Sequence, residues 1–361
     1  MKSKYIAWAI APIFLIGCSD YLETPPSVDY GENEVFATRA DAEKLLTTLY
    51  AEGMPYGFCM SSSNTDRRLL SSSTLASACD EGEDVATWAM GNAAWNAGNH
   101  TNTNFPWDED CRFYLRNHTM RVTNLILKRI HEVPFDEGDP DFNKRTTGEA
   151  YFMRAMLLWE GVYRYGGMPI VRDVIDPTDF SQRPRNSFSD CIDSILIDCD
   201  RATQYLPDYY TDNAKLGRAT RIAALALKAR VLLYAASPLF NTSTPYMSFP
   251  GHENLIGYGN YDRERWKKAA DAAKAAIDAA LASGHYKIHN TGNPDKDYEE
   301  VWTIPDNEEI ILGNMKYRNF KTTSRPLVAN LPTWAMNKAW GDAGLYVTFN
   351  FVQHYEKRAD G

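Results

Sequence analysis

The pattern of apolar and polar positions divides the chain into four textures. After Lys2 and Lys4, Tyr5 to Gly17 is uncharged and mostly apolar, broken only by Pro12. That run is too short to cross a bilayer as a helix, which needs about 20 residues, and fits the apolar region of a secretory leader. Ser19 to Glu34 is polar and contains Pro25-Pro26, so it reads as an extended tether. From Thr38 the spacing turns helical. Ala42, Leu45, Leu46, Leu49 and Tyr50 share one face, with Asp41 near the start. Residues 54–107 then lose the period. They hold serine clusters, Gly91 and Gly98, repeated asparagines and Trp88, Trp95 and Trp107, and read as a long irregular insertion of the kind that carries function.

Five helical patterns follow. Asp110 to Ile130 carries Phe113, Met120 and Leu127 on an apolar stripe. Thr147 to Tyr165 is apolar nearly all round, with Tyr151, Ala155, Leu158, Trp159 and Val162 on one stripe and Phe152 and Met156 beside it. It is therefore expected to be buried and to stop at Gly166-Gly167. Ser187 to Leu206 has Ser187 and Ser189 as cap candidates and Pro207 as a stop. Thr220 to Ala236 is rich in alanine and leucine and ends before Pro238. Asp262 to Ser283 is alanine-rich and ends at Gly284. Trp159 and Trp266 lie in helical stripes and are expected in the core. Trp266, Ala269, Ala270 and Ala273 match the first helix of a tetratricopeptide unit, and Ala229, Leu233 and Ala236 the second. Generic helix packing gives the same spacing, and no fixed period of about 34 residues is visible. After Tyr286 the texture changes. Glu309 to Leu312 is β-prone, and Asn319 to Asn350, with Trp334 and Trp340, reads as loops over a scaffold.

Composition narrows the class. In 361 residues, 38 Lys+Arg against 47 Asp+Glu give a net charge of −9. Without a basic surplus the chain has no means of displacing phosphate counterions, so nucleic acid is not an expected partner. Hydrophobics at 44% and charges at 24% are ordinary globular values and exclude disorder for the bulk of the chain.

Leu15-Ile16-Gly17-Cys18 resembles a bacterial lipobox, in which the Cys18 thiol takes the diacylglycerol. An ordinary leader with a chance cysteine is the alternative. Acyl chains add about 0.8 kcal/mol per buried methylene, so several anchor stably. Of the other cysteines (Cys59, Cys79, Cys111, Cys191 and Cys199), at least one must stay free. Cys191 and Cys199 stand two helical turns apart, about 12 Å, too far for a bridge.

Several segments together resemble the RagB/SusD family. They are Glu149-Ala150 through Arg154-Ala155 with Tyr163-Arg164-Tyr165-Gly166-Gly167-Met168-Pro169-Ile170, and Gly217-Arg218-Ala219-Thr220 through Ala229-Arg230 to Ala235-Ala236-Ser237-Pro238-Leu239-Phe240-Asn241. Trp266 through Ser283-Gly284-His285-Tyr286 follows, and the lipobox with Tyr21-Leu22-Glu23-Thr24-Pro25-Pro26 precedes them. The resemblance implies a mainly α fold with an irregular tetratricopeptide-like core of helical pairs and long irregular loop insertions. It implies a lipoprotein of the cell outer membrane, facing outward, that captures a glycan or other nutrient for a SusC-like TonB-dependent transporter and is not an enzyme. The layout expected is a leader over 1–17, a lipidated tether over 18–37, a helical region over 38–290 with the insertion 54–107, and the start of a loop-rich region over 291–361. Family members run longer, and Tyr355-Glu356 to Asp360-Gly361 resembles a segment with much chain after it, so the sequence is expected to be incomplete at its C-terminus.

Sugars offer an apolar C–H face to a flat ring and hydroxyls to amides at its rim. The family's glycan site draws on the insertion, where Trp88, Trp95 and Asn99 are the nearest equivalents by region. Trp334 and Trp340 are further candidates. Acids cluster at Asp80, Glu81, Glu83 and Asp84 and at Asp108, Glu109 and Asp110. They read as solvated surface, with glycoside hydrolysis or calcium binding as alternatives. His285 and His289 follow the helix stop and lack a zincin context, so no metal or cofactor is expected. Two other readings remain, a lipid-anchored hydrolase and a helical scaffold that binds only peptide or protein.

Overall fold

The computed structural model describes residues 31–54, 80, 82–84, 97–98, 101, 113–176, 178–179, 181–304, 307–313 and 345–354. In chain order these form α1 (Glu32–Val35), α2 (Arg39–Gly53), β1 (Gly82–Asp84), α3 (Phe113–Arg129), α4 (Phe142–Tyr165), α5 (Phe188–Tyr205), α6 (Arg221–Ala236), α7 (Glu264–Ala282), α8 (Pro294–Thr303), β2 (Leu345–Val347) and α9 (Phe349–Val352). From α2 through α7 each helix except the last packs on its successor, with α2 also touching α4. This is the mainly α, helical-pair architecture that the sequence predicts.

Local chemistry sets the helix ends. Thr38, Ser187 and Thr220 cap α2, α5 and α6, each hydroxyl accepting from the backbone N–H three residues on. Pro207 follows α5 closely and cannot continue it. At the end of α4 the chain turns through Gly166 at φ +77°, where a side chain would be strained and would strike the Leu255 carbonyl. Gly167 lies against the Asn186 carbonyl with the same lack of room.

Helix α4 is the axis of the molecule. Phe142, Ala150, Phe152, Met153 and Met156 join one apolar cluster with α2, α3 and the start of α6. Ala155, Leu158, Trp159 and Val162 join a second with Phe188, Cys191, Ile192, Ile195 and Cys199 of α5 and Val231 and Ala235 of α6. Being walled on both sides explains an apolar pattern that runs nearly all round it.

The structure departs from the sequence reading in five places. One helical turn, α1, stands inside the stretch read as tether, and Arg121 and Arg129 of α3 hold it through Glu32 and Asn33. Helix α4 begins at Phe142, ahead of Thr147, and its added first turn carries Phe142 into the core and Arg145 into a buried pair with Asp139. Helix α8 was not foreseen, although Asn293 caps it and Pro294 opens it. The β-prone run ending at Leu312 forms turns and no strand. Trp266 is 40% exposed rather than core: it stands in the first turn of α7 beside the stripe of Ala269, Ala276 and Ala280, which is buried.

Candidate functional site

The residues singled out for ligand contact and anchoring, Cys18, Trp88, Trp95, Asn99, Trp334 and Trp340, lie outside the described residues. The backbone that frames two of those segments is described. Strand β1 belongs to the irregular insertion and β2 to the late loop region, and they pair antiparallel with Gly82 opposite Val347, Glu83 opposite Tyr346 and Asp84 opposite Leu345. Thr348 extends the contact, its hydroxyl donating to the Asp80 carbonyl and also capping α9 by accepting from the Phe351 N–H. The insertion and the late loops are thus joined edge to edge across most of the chain length.

Other candidate chemistry resolves into structural roles. His285 stacks on Tyr209 with centroids 4.5 Å apart and planes at 4°. His289 sits between two carboxylates, with Nε2 2.7 Å from Glu300 of α8 and Nδ1 3.2 Å from Glu308. Those carboxylates hold its pKa above the usual imidazole value. The two histidines serve different contacts, and among the described residues no group of three or more His, Cys, Asp or Glu side chains could hold a metal. Cys191 and Cys199 are buried free thiols, both pushed up in pKa by burial and so unreactive.

The family-signature charges build two buried junctions. Glu149 is fully buried on α4, with Arg218 Nη1 3.3 Å and Arg145 Nε 3.5 Å away. Burial raises the Glu149 pKa even against those guanidiniums. Tyr50 of α2 accepts from the Ala219 N–H at 2.8 Å, and Arg218 also reaches Glu43 of α2 at 3.2 Å. Arg218 therefore ties α2, α4 and the entry to α6 at one point. In the second junction Arg154 of α4 makes a bidentate pair with Asp198 of α5, both bonds 2.8 Å. Asn124 of α3 accepts a third Arg154 bond at 3.1 Å and donates to the Val171 and Asp173 carbonyls. The partners Asp198, Asn124, Tyr50 and Arg145 were missed from sequence. The available signal was charge, Glu149 and Arg154, among the apolar positions of a helix patterned for burial.

A helical-pair core clamped by these residues defines a mainly α scaffold, and the comparisons give its family. Residues 20–233 match the SusD-like family model described as starch-binding associating with outer membrane, and the chain belongs to that family. Among solved structures it is similar to a SusD-like protein from Bacteroides fragilis NCTC 9343, with 25% identity and a TM-score of 0.61, covering 87% of this chain and 52% of that one. A SusD superfamily protein from Bacteroides thetaiotaomicron VPI-5482 shares the fold at 17% identity and TM-score 0.58, over 88% of this chain and 61% of that one. So does a SusD-like carbohydrate binding protein from Bacteroides vulgatus ATCC 8482, at 16% identity and TM-score 0.58, over 89% and 59%. The chain spans about half the length of the first of these relatives. No curated protein matches it.

Proposed function

We propose that the protein is a cell-surface lipoprotein that captures a glycan or other nutrient and passes it to a SusC-like TonB-dependent transporter. Cys18 carries the lipid after removal of residues 1–17, and the stretch between Cys18 and α1 lifts the body off the outer membrane. Among the described residues no helix is long and apolar enough to cross a membrane, which is compatible with anchoring by lipid. Glycan contact falls to Trp88, Trp95 and Asn99 of the insertion 54–107, with Trp334 and Trp340 of the region 291–361 on the opposite side. The observation that carries this reading is the β1–β2 pairing, which joins the backbone of both ring-bearing segments. The carbohydrate-binding description of the Bacteroides vulgatus relative supports a sugar as ligand. The protein holds its ligand without cleaving it, the acid clusters serving as solvated surface.

A screen of defined glycans by calorimetry, followed by variants, tests the site. Removing a stacked ring with Trp88→Ala, Trp95→Ala or Trp334→Ala should weaken binding by about 2 kcal/mol or more with the melting temperature unchanged. Asn99→Ala, at a wet rim, should cost about 1 kcal/mol. Unchanged affinity in all three tryptophan variants would move the site elsewhere. Release of reducing sugar from a bound polysaccharide would replace capture by hydrolysis.

A further inference from the structure

Three guanidinium groups converge on the single carboxylate of Asp198. Arg154 takes both oxygens from within the core. Arg172 reaches Oδ1 at 3.2 Å, and Arg201 stands 3.9 Å from the same atom. The neighbouring acid Asp200 on α5 is engaged elsewhere, pairing with Lys228 of α6 at 2.6 Å. Even with Asp173, which follows Arg172 in the chain, the cluster keeps a net positive charge on a protein whose overall charge is −9.

The positive groups are held in place and reach the surface. Asn124 bonds the carbonyls on either side of Arg172, fixing its backbone, and Arg172 Nη2 donates to Ser194 Oγ at 2.7 Å. Arg201 lies over the Tyr151 ring at 5.5 Å, with Arg154 at 5.4 Å from the same ring. The side chains of Arg172 and Arg201 remain 34% and 47% exposed. Two guanidiniums at solvent share one buried carboxylate whose oxygens Arg154 already engages, and among the described residues their charge is not fully balanced.

We propose that Arg172 and Arg201 form a subsite for an oxyanion group, the carboxylate or sulfate of an acidic saccharide, with Tyr151 beside it. A planar fork suits a carboxylate or sulfate, and a ring alongside suits the sugar's C–H face. The subsite uses none of the residues named in the glycan-capture reading and can fail or hold independently of it.

Calorimetry of the purified protein with a uronic-acid disaccharide, a sulfated disaccharide, a neutral disaccharide and inorganic sulfate tests the assignment. One or both acidic disaccharides should bind, with affinity falling as salt rises. Arg201→Gln should weaken that binding at least tenfold with melting unchanged, and Arg172→Gln should do the same with a small loss of stability. Binding of neutral glycans should be unaffected in Arg201→Gln, which separates this subsite from the tryptophan site. The assignment is overturned if acidic and neutral disaccharides bind alike or not at all, if Arg201→Gln leaves acidic binding intact, or if inorganic sulfate binds while neither acidic disaccharide does.

Discussion

Trp159 fills the contact between α4 and α6, 5.4 Å from the Tyr234 ring and 5.3 Å from Tyr163. At 5% exposure it cannot be removed without leaving a void. Trp159→Ala should cost about 3–5 kcal/mol in urea unfolding. A cost below about 1 kcal/mol would mean that the ring does not fill the site. Asp139 offers a second test at this scale. Arg145 grips it at 2.9 and 2.7 Å and Lys215 approaches to 3.2 Å, holding its pKa down from 3.8 to about 2. A carboxylate depressed in the folded state stabilises above its unfolded value and loses that contribution as pH falls toward the folded one. Asp139→Asn should therefore destabilise at neutral pH and flatten the fall in melting temperature between about pH 4 and pH 2. Parallel melting curves for both proteins across that window would exclude this role. Trp159 was legible as core because it sits in an unbroken apolar stripe. The Asp139 cluster was not, since Lys215 joins it from 76 residues away.

The elements differ in how they are held. Helices α4, α5 and α6 are locked by apolar burial and by the two ionic junctions, whereas α8 hangs on fewer contacts. His289 is its clasp, meeting Glu300 on α8 and Glu308 on the turn that follows, with Glu309 accepting from the His289 N–H at 3.1 Å. Lys287, Lys296 and Asp297 complete the charges around it, Lys296 pairing with Glu300 at 3.1 Å and Lys287 with Glu308 at 3.5 Å. A histidine whose pKa is raised on folding stabilises fully below its unfolded value of 6.5 and loses that contribution as pH rises through the higher folded value. Amide exchange in α8 should therefore accelerate beyond the intrinsic rate as pH rises above about 6.5, and His289→Gln should abolish that extra step. An unchanged profile in His289→Gln would show that α8 is held by other contacts. Helix α8 escaped the sequence reading because its pattern is short and mostly charged, although Asn293-Pro294 carried the start signal.

For the whole molecule the proposed anchor at Cys18 is the feature to test. Cys18→Ser should remove the lipid and move the protein from the membrane fraction to the soluble one, read by fatty-acid labelling and fractionation. Retention in the membrane with label would refute the lipobox assignment. Much of the body was determined by sequence alone, because its causes are local. Helical spacing in α2 and in the helices from α3 to α7, hydroxyl caps at Thr38, Ser187 and Thr220, and stops at Gly166, Pro207 and Pro238 all act within a turn or two of chain. The ordered motifs also marked the family, although Glu149, Arg154 and Arg218 prove to be clamps between helices. Long-range partners were decided only in the folded state. Spacing shows that a helix has an apolar face but not whether another element covers it, so Trp266 looked like core and is 40% exposed. Pairing of Gly82 with Val347, and convergence of Arg154 and Arg172 on Asp198, join residues that no local rule relates. Such contacts depend on how the whole helical stack closes, and that is set by the packing of all its side chains together.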